Sequence, residues 1–323
     1  MTSIRKASSV PVLLLGFRRP ACTRQVIAAL RTAQIENVVF ACDGPRKGAS
    51  CEEQNAVREV RNLAFEFDWS CRLSTHFHES NRGCKKHVSE SITGFLDLYG
   101  EGIILEDDCV PSQDFFRFAN ELLHRWRDDP RVGSIAGSLL TKHRPESSTP
   151  YRFSNFTSSW GWATWRRAWI DRDIDCDSWN IDRQSLIKRF SSVLGPRAEA
   201  KRWHDAFDSV RAETLDSWAT GWFYSNLLHG RLTAVPNVNL VSNIGFGEGA
   251  THTRGGSHFA RRLENTPNLV AHPNDVRADH SLDEAMRQEI FPPLSVTAYW
   301  KAKLRKRVAQ LRNTLSDLVR SRK

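Results

Sequence analysis

G-I-I-L-E-D-D-C-V-P-S-Q-D-F-F-R-F, residues 102 to 118, is the stretch from which the rest of the chain can be read. Ile103, Ile104 and Leu105 form a short, bulky apolar run of the kind that fills a buried strand. Three carboxylates, Glu106, Asp107 and Asp108, follow it without a break, which places them at the carboxyl end of that strand. In an open α/β sheet that is where ligands bind. Adjacent carboxylates repel one another and resist ionisation unless a cation or hydrogen-bond donors compensate. A hard divalent ion with oxygen ligands, Mn²⁺ or Mg²⁺, would relieve the repulsion. The plainer alternative is a solvated acidic turn ahead of the helix that begins near Ser112 to Asp114.

Outward from this stretch, strand and helix signals alternate. P-V-L-L-L-G-F (11 to 17) reads as a buried strand, followed by a helix capped by Thr23 with Val26, Ile27 and Leu30 on one face. N-V-V-F-A-C-D (37 to 43) reads as a second strand ending at a D-G-P turn, followed by a helix bearing Val57, Val60 and Ala64. A third strand near Cys71 to Phe77 precedes a helix bearing Val88, Ile92, Phe95 and Leu96. The strand before the carboxylates, a helix through Phe118 and Leu122, and a strand at Val132 to Ala136 complete the run. Strict alternation predicts an α/β fold: a doubly wound, mostly parallel sheet with helices on both faces. Past Lys142 the pattern loosens and tryptophan concentrates, with eight of the chain's eleven between Trp160 and Trp222. Aromatic faces suit sugar rings, and they also fill cores. The division expected is 10–136, 137–290 and a basic tail, 295–323.

Composition narrows the function. The net charge of +9 is concentrated beyond residue 300, where nine Lys or Arg face one acid, Asp317, so the body is close to neutral. A nucleic-acid protein would carry its basic stripe on the folded body, and none is expected as a partner. Seven cysteines without C-x-x-C spacing suggest neither a disulfide framework nor a zinc site, which favours a reducing, cytoplasmic setting. The apolar run at Val10 to Phe17 is short and is followed at once by Arg18 and Arg19, so it reads as a first strand rather than a signal peptide. In the tail, Leu304, Val308, Leu311, Leu315 and Leu318 fall on one helical face among the basic residues. Such a helix could dock on the body, pair with another chain as a short coiled coil or, the reading favoured here, lie on an anionic membrane surface, peripheral on its cytoplasmic side.

Several segments together resemble the GT-A glycosyltransferases, in particular the bacterial nucleotide-diphospho-sugar transferase-like proteins sometimes labelled hemolysin-like. They resemble N-acetylglucosaminyltransferase I more distantly. The segments are V-L-L-L-G-F-R-R-P (12 to 20), F-A-C-D-G-P-R (40 to 46), N-R-G-C-K-K (81 to 86), I-L-E-D-D-C-V-P-S-Q-D-F-F (104 to 116), S-S-W-G-W-A-T-W-R-R-A-W (158 to 169) and V-P-N-V-N-L-V-S-N-I-G-F-G (235 to 247). The resemblance implies a metal-dependent transfer of a sugar, with inversion, from a nucleoside diphosphate-sugar donor to a glycan or lipid-linked acceptor hydroxyl in envelope polysaccharide or glycolipid synthesis. It implies that Arg19 and Asp43 hold the nucleoside, that Glu106 and Asp107 contact ribose and sugar, and that Asp108 ligates the metal. His252 lies in the loop where some such enzymes supply a second ligand. Asp216, in T-L-D-S-W, is the candidate general base, although the distant relative carries W-D-D-W there; Glu213 is the reserve. Trp160 and Trp162 are the candidates for the acceptor side. The plain readings are an Asx turn for Asp43 and a cap on the helix through Trp222 for Asp216. Two rival functions stand beside this one. A sugar-nucleotide nucleotidyltransferase would show a Gly-rich loop after the first strand, which F-R-R-P-A-C-T lacks. The other rival is an inactive body whose basic tail binds membrane or nucleic acid.

Overall fold

The computed structural model describes residues 9–142, 149–246, 263–264 and 271–290. Its first part alternates as the sequence predicts: β1 (Val12–Gly16), α1 (Pro20–Thr32), β2 (Asn37–Cys42), α2 (Cys51–Asn62), β3 (Arg72–Phe77), α3 (Cys84–Tyr99) and β4 (Glu101–Glu106). These four strands are parallel and lie in the order β3-β2-β1-β4. Because the chain runs outward from β1 to β3 and then returns to β1's other side, the direction of winding reverses between β1 and β4. That reversal opens a crevice at the strands' carboxyl ends.

Beyond β4 the alternation fails. The turn after Glu106 leads into a short strand, β5 (Cys109–Pro111), and then α4 (Gln113–Arg125), β6 (Val132–Ala136), β7 (Tyr151–Ser154), β8 (Trp162–Trp165), α5 (Arg166–Trp169), α6 (Arg183–Leu194), α7 (Arg197–Arg211), α8 (Trp218–His229), β9 (Leu232–Pro236), β10 (Val241–Asn243) and α9 (His280–Ala285). β8 runs antiparallel between β4 and β6, and β7 closes the far edge antiparallel to β9. One eight-stranded sheet results, β3-β2-β1-β4-β8-β6-β9-β7, mostly parallel and crossing from the first half of the chain into the second. β5 leaves this sheet and pairs antiparallel with β10, tying the acidic turn to the segment after β9. The fold class is therefore the one expected, with two reversed strands that local patterning does not reveal.

Each face of the sheet has its own core. Val12, Leu14, Phe40, Ile103 and Leu105 face α1, α2 and α4, whereas Leu13, Leu15, Val39 and Ile104 face α3, α5 and α8. A third cluster gathers α6, α7 and one side of α8 around Trp179, Phe190 and Phe207. Two helix starts matter for the crevice. α1 begins at Pro20, directly after Arg19, rather than at a Thr23 cap; Thr23 is buried in the first turn and donates its hydroxyl to the Arg19 carbonyl at 2.9 Å. Proline suits that first position because its missing N–H has no helical partner there. α4 is capped by Ser112, whose hydroxyl accepts from the Phe115 N–H at 3.3 Å, and it buries Phe115, Phe116, Phe118 and Leu122. Each such side chain removed from water contributes about 1.5–3 kcal/mol, which anchors the turn that carries the acids. Among the described residues no helix is long and apolar enough to cross a membrane.

Candidate active site

At the crevice between β1 and β4 lies a cleft of about 340 Å³. Its lining includes Arg19, Asp43, Glu106, Asp107, Asp108, Trp160 and Asp216, so most of the residues singled out in the sequence converge on one cavity. A second hollow of about 500 Å³ lies between α6 and α7, where the lining carboxylate, Asp205, is paired with Lys201.

One wall is built from strand ends. β4 delivers Glu106 at its last position and Asp107 and Asp108 in the turn beyond. Arg19, reaching across from the end of β1, forks over the two aspartates. Its Nε donates to Asp107 Oδ2 at 3.3 Å, one terminal nitrogen donates to Asp107 Oδ1, and the other donates to Asp108 Oδ2 at 2.8 Å. Burial, with repulsion from Asp108 and Asp107 added, pushes the Glu106 carboxyl up to about 8. Burial also raises Asp107, to about 6, against the attraction of Arg19. Burial disfavours the charge on Arg19 as well, yet the pull of Asp107 and Asp108 outweighs it and raises the guanidinium's pKa. The loop after β10 closes over this group. The Ile244 N–H donates to the Asp108 carbonyl at 2.8 Å, and a Cβ at Gly245 would stand 1.9 Å from Asp108 Oδ2 and 2.7 Å from Arg19, so any other residue there would have to displace the Asp108 carboxylate and the guanidinium.

The opposite wall is the start of α3. Gly83 precedes it at φ +83°, where glycine is favoured, and offers no side-chain cap. Asp216 supplies the cap from a distant part of the chain: its Oδ2 accepts from the Cys84 N–H at 2.9 Å and its Oδ1 from the Lys85 N–H at 2.8 Å. The helix that follows Asp216, α8, is capped by Ser217, which accepts from the Thr220 N–H. Asp216 therefore caps a helix, but not the one its sequence position suggests. Asp43 is buried and ties the loop before α3 in place: Oδ1 accepts from the Gly44 and Arg82 N–H groups at 2.8 and 2.9 Å, and Oδ2 from the Asn81 amide at 2.8 Å. The Asx turn anticipated at Asp43 is not formed, because the residue two positions on is Pro45 and has no N–H; Asp43 bonds the Gly44 N–H and the 81–82 loop instead, and also lines the cleft.

His87 was not singled out in the sequence. It lies in the first turn of α3, is 4% exposed and lines the cleft, yet neither ring nitrogen has a hydrogen-bond partner among the described residues. Burial lowers its pKa to about 4, so the ring is neutral, with one nitrogen able to donate and the other to accept. The sequence carried no periodic signal for it, because at helical spacing His87 lines up with Glu90 and Ser91 rather than with Val88, Ile92 and Phe95. Trp160 is partly exposed at the cleft and meets Phe246 edge to face at 5.9 Å. Trp162 requires correction. It is fully buried on β8, stacked beneath Trp218 at 5.6 Å and packed against Trp169 and Trp222. It offers no face to an acceptor, and Trp218 lines the cleft in its place. His252 and the 295–323 tail lie outside the described residues.

Asp107 and Asp108 already converge on one cation, the Arg19 guanidinium, and carboxylate oxygens are what Mg²⁺ or Mn²⁺ prefers. Among the described residues no group of three or more His, Cys, Asp or Glu side chains is set to hold a metal. Two carboxylates fit an ion whose remaining positions go to substrate phosphate and water.

No protein-family model matches the chain, and no curated protein matches it. Among solved structures it is similar to a mannosyltransferase from Pyrobaculum calidifontis in complex with GDP-Man and Mn²⁺, at 12% identity over 68% of this chain and 69% of that one, with a TM-score of 0.35. It is also similar to mouse xyloside xylosyltransferase 1 in its apo form, at 13% identity over 70% of this chain and 84% of that one, with a TM-score of 0.36. Likeness at that level adds no weight to the geometry described above.

Proposed function

We propose that the protein is a GT-A-type glycosyltransferase that moves a sugar from a nucleoside diphosphate-sugar to an acceptor hydroxyl with inversion. The observation that carries this reading is the cleft itself. At the point where the sheet's winding reverses, it sets Arg19 and the Glu106–Asp108 acids on one wall and Asp216 on the other. In this reading Arg19 and Asp43 face the nucleoside diphosphate with the neutral His87 beside them, Glu106 and Asp107 face ribose and sugar, and Trp160 faces the acceptor. Asp108, with Asp107 beside it and His252 as a further ligand, would hold Mn²⁺ or Mg²⁺. A divalent ion bound there supplies neutralisation of the charge on the departing diphosphate. Asp216 takes the acceptor hydroxyl's proton as that oxygen bonds to the anomeric carbon from the face opposite the breaking bond to diphosphate. Its two backbone hydrogen bonds fix the carboxylate and leave each oxygen a further lone pair.

A thermal-shift panel of UDP-, GDP- and dTDP-sugars with and without Mn²⁺ tests this reading. A ligand that binds only the folded state raises its melting temperature, so one nucleotide series should do so in a Mn²⁺-dependent way. No shift with any of them would remove the donor assignment. The basic tail, as an amphipathic helix, would place the enzyme on the cytoplasmic face of an anionic membrane, close to a lipid-linked acceptor. Co-sedimentation with anionic liposomes at low salt should be lost in a chain ending at Pro293; equal retention of both forms would take the tail out of the functional account.

A further inference from the structure

Arg19 sits where a cation would have to go. Its guanidinium engages both oxygens of Asp107 and one of Asp108, and the remaining Asp108 oxygen lies 3.4 Å from the Cys109 thiol. The two aspartate side chains are 5% and 13% exposed and Arg19 is 21% exposed, so the ion pairs are largely withdrawn from water and weakly screened. Among the described residues no other cation is paired with either aspartate. A divalent ion held by the same carboxylates would stand against the like charge of the guanidinium that already grips them. Entering alone, it would also leave the displaced guanidinium beside it in a partly dry site under the Gly245 loop. A diphosphate changes that balance, because it offers the planar guanidinium a charged partner of its own, whose oxygens accept its N–H donors in pairs.

We infer that Arg19 is an exchangeable latch on the two acids. In the nucleotide-free protein it holds Asp107 and Asp108 and keeps a free divalent cation out. When a nucleoside diphosphate arrives with the ion, the guanidinium moves onto the diphosphate and the carboxylates pass to the ion. Cation and nucleotide then bind with strong mutual dependence rather than as independent ligands. The inference rests on the donor reading above and adds to it an order of occupancy and a competitor.

The test is Mn²⁺ binding followed by the electron paramagnetic resonance of free Mn²⁺. Wild type, Arg19→Gln and Arg19→Lys are compared with and without UDP or GDP, after correction for the Mn²⁺ that the nucleotide itself binds. Wild type should bind Mn²⁺ weakly alone and far more tightly with the nucleotide. Arg19→Gln should bind Mn²⁺ alone about 5- to 150-fold more tightly than wild type, the usual span of coupling between two sites, and should lose most of the nucleotide's effect. Arg19→Lys should fall between them, since it keeps the charge without the fork. Folded Arg19→Gln that binds Mn²⁺ no better than wild type would overturn the latch. If that variant does not fold, wild type alone decides, because Mn²⁺ affinity that is equal with and without bound nucleotide also overturns it while leaving the donor reading in place. Failure of every form to bind either nucleotide or Mn²⁺ would remove the donor reading and the latch together.

Discussion

The two walls of the cleft both present aspartates, and they hold them by different means. On the β4 wall, Asp107 and Asp108 are balanced by the side chain of Arg19, a partner on rotatable bonds. On the α3 wall, Asp216 is balanced by two backbone N–H groups of a helix that cannot turn away. A charge held by a side chain can be handed to a ligand; a charge held by backbone stays in place. The first arrangement suits a site that must accept a cation and a diphosphate, and the second suits a group that must wait at a fixed position for a proton.

Substitutions that keep shape and remove charge separate the walls most sharply. Asp108→Asn should lower transfer by about 10³- to 10⁵-fold, equivalent to the several kcal/mol that a bound ion contributes, and should abolish Mn²⁺-dependent nucleotide binding while the fold survives. Undiminished wild-type turnover in excess chelator would contradict it. Asp216→Asn should lower kcat by about 10²- to 10⁴-fold with donor affinity nearly unchanged, the pattern of a lost general base. Equal loss of donor binding would make Asp216 a strut of the nucleotide site, and a larger loss in Glu213→Gln would transfer the role to that residue.

The smallest effect belongs to the fixed wall and appears in stability. His87 is neutral in the fold with a pKa of about 4, against an ordinary value of 6.5, and its neighbours are Asp43 and the edge-on ring of His78 at 5.3 Å. Between those values the unfolded chain takes up a proton that the folded chain refuses, so stability falls as pH drops from about 6.5 to about 4. The full loss is on the order of 3 kcal/mol. Urea unfolding of wild type and His87→Phe at pH 7 and pH 4 should show a drop in wild type larger by about that amount. Parallel behaviour of the two proteins would mean that the ring is hydrated or paired in solution.

What could be read from the chain followed the range of the forces involved. Apolar runs and 3.6-residue stripes are local, so the strands up to β4 and their helices were legible to within a few residues. The carboxylates were legible because an apolar strand ends abruptly on them. The insertion of β8 between β4 and β6 was not legible, because it depends on pairing across the sheet. Trp162 misled for a related reason: a strand covered on both faces buries residues of either parity, so Trp162 and Trp165 give no alternation to read. The cap that Asp216 places on α3, and the hold of Arg19 on Asp107 and Asp108, join positions 132 and about ninety residues apart, which no spacing rule reaches.

The Asp216 cap also bears on when the cleft forms. α3 lacks a side-chain cap of its own and has no acid in its first turn, so the favourable contact at its start comes from a residue 132 positions later. Contacts that close such long loops form slowly, and chains fold from the N-terminus as they are synthesised. The strands and helices before β4 can therefore pack while the wall facing them still has a loose helical start. Completion of that wall waits for residues 216 to 229 to dock α8 against α3. A nascent or truncated chain would hold the acids of β4 without the carboxylate opposite them, so competence arrives as a late folding step rather than with the first domain-sized fragment.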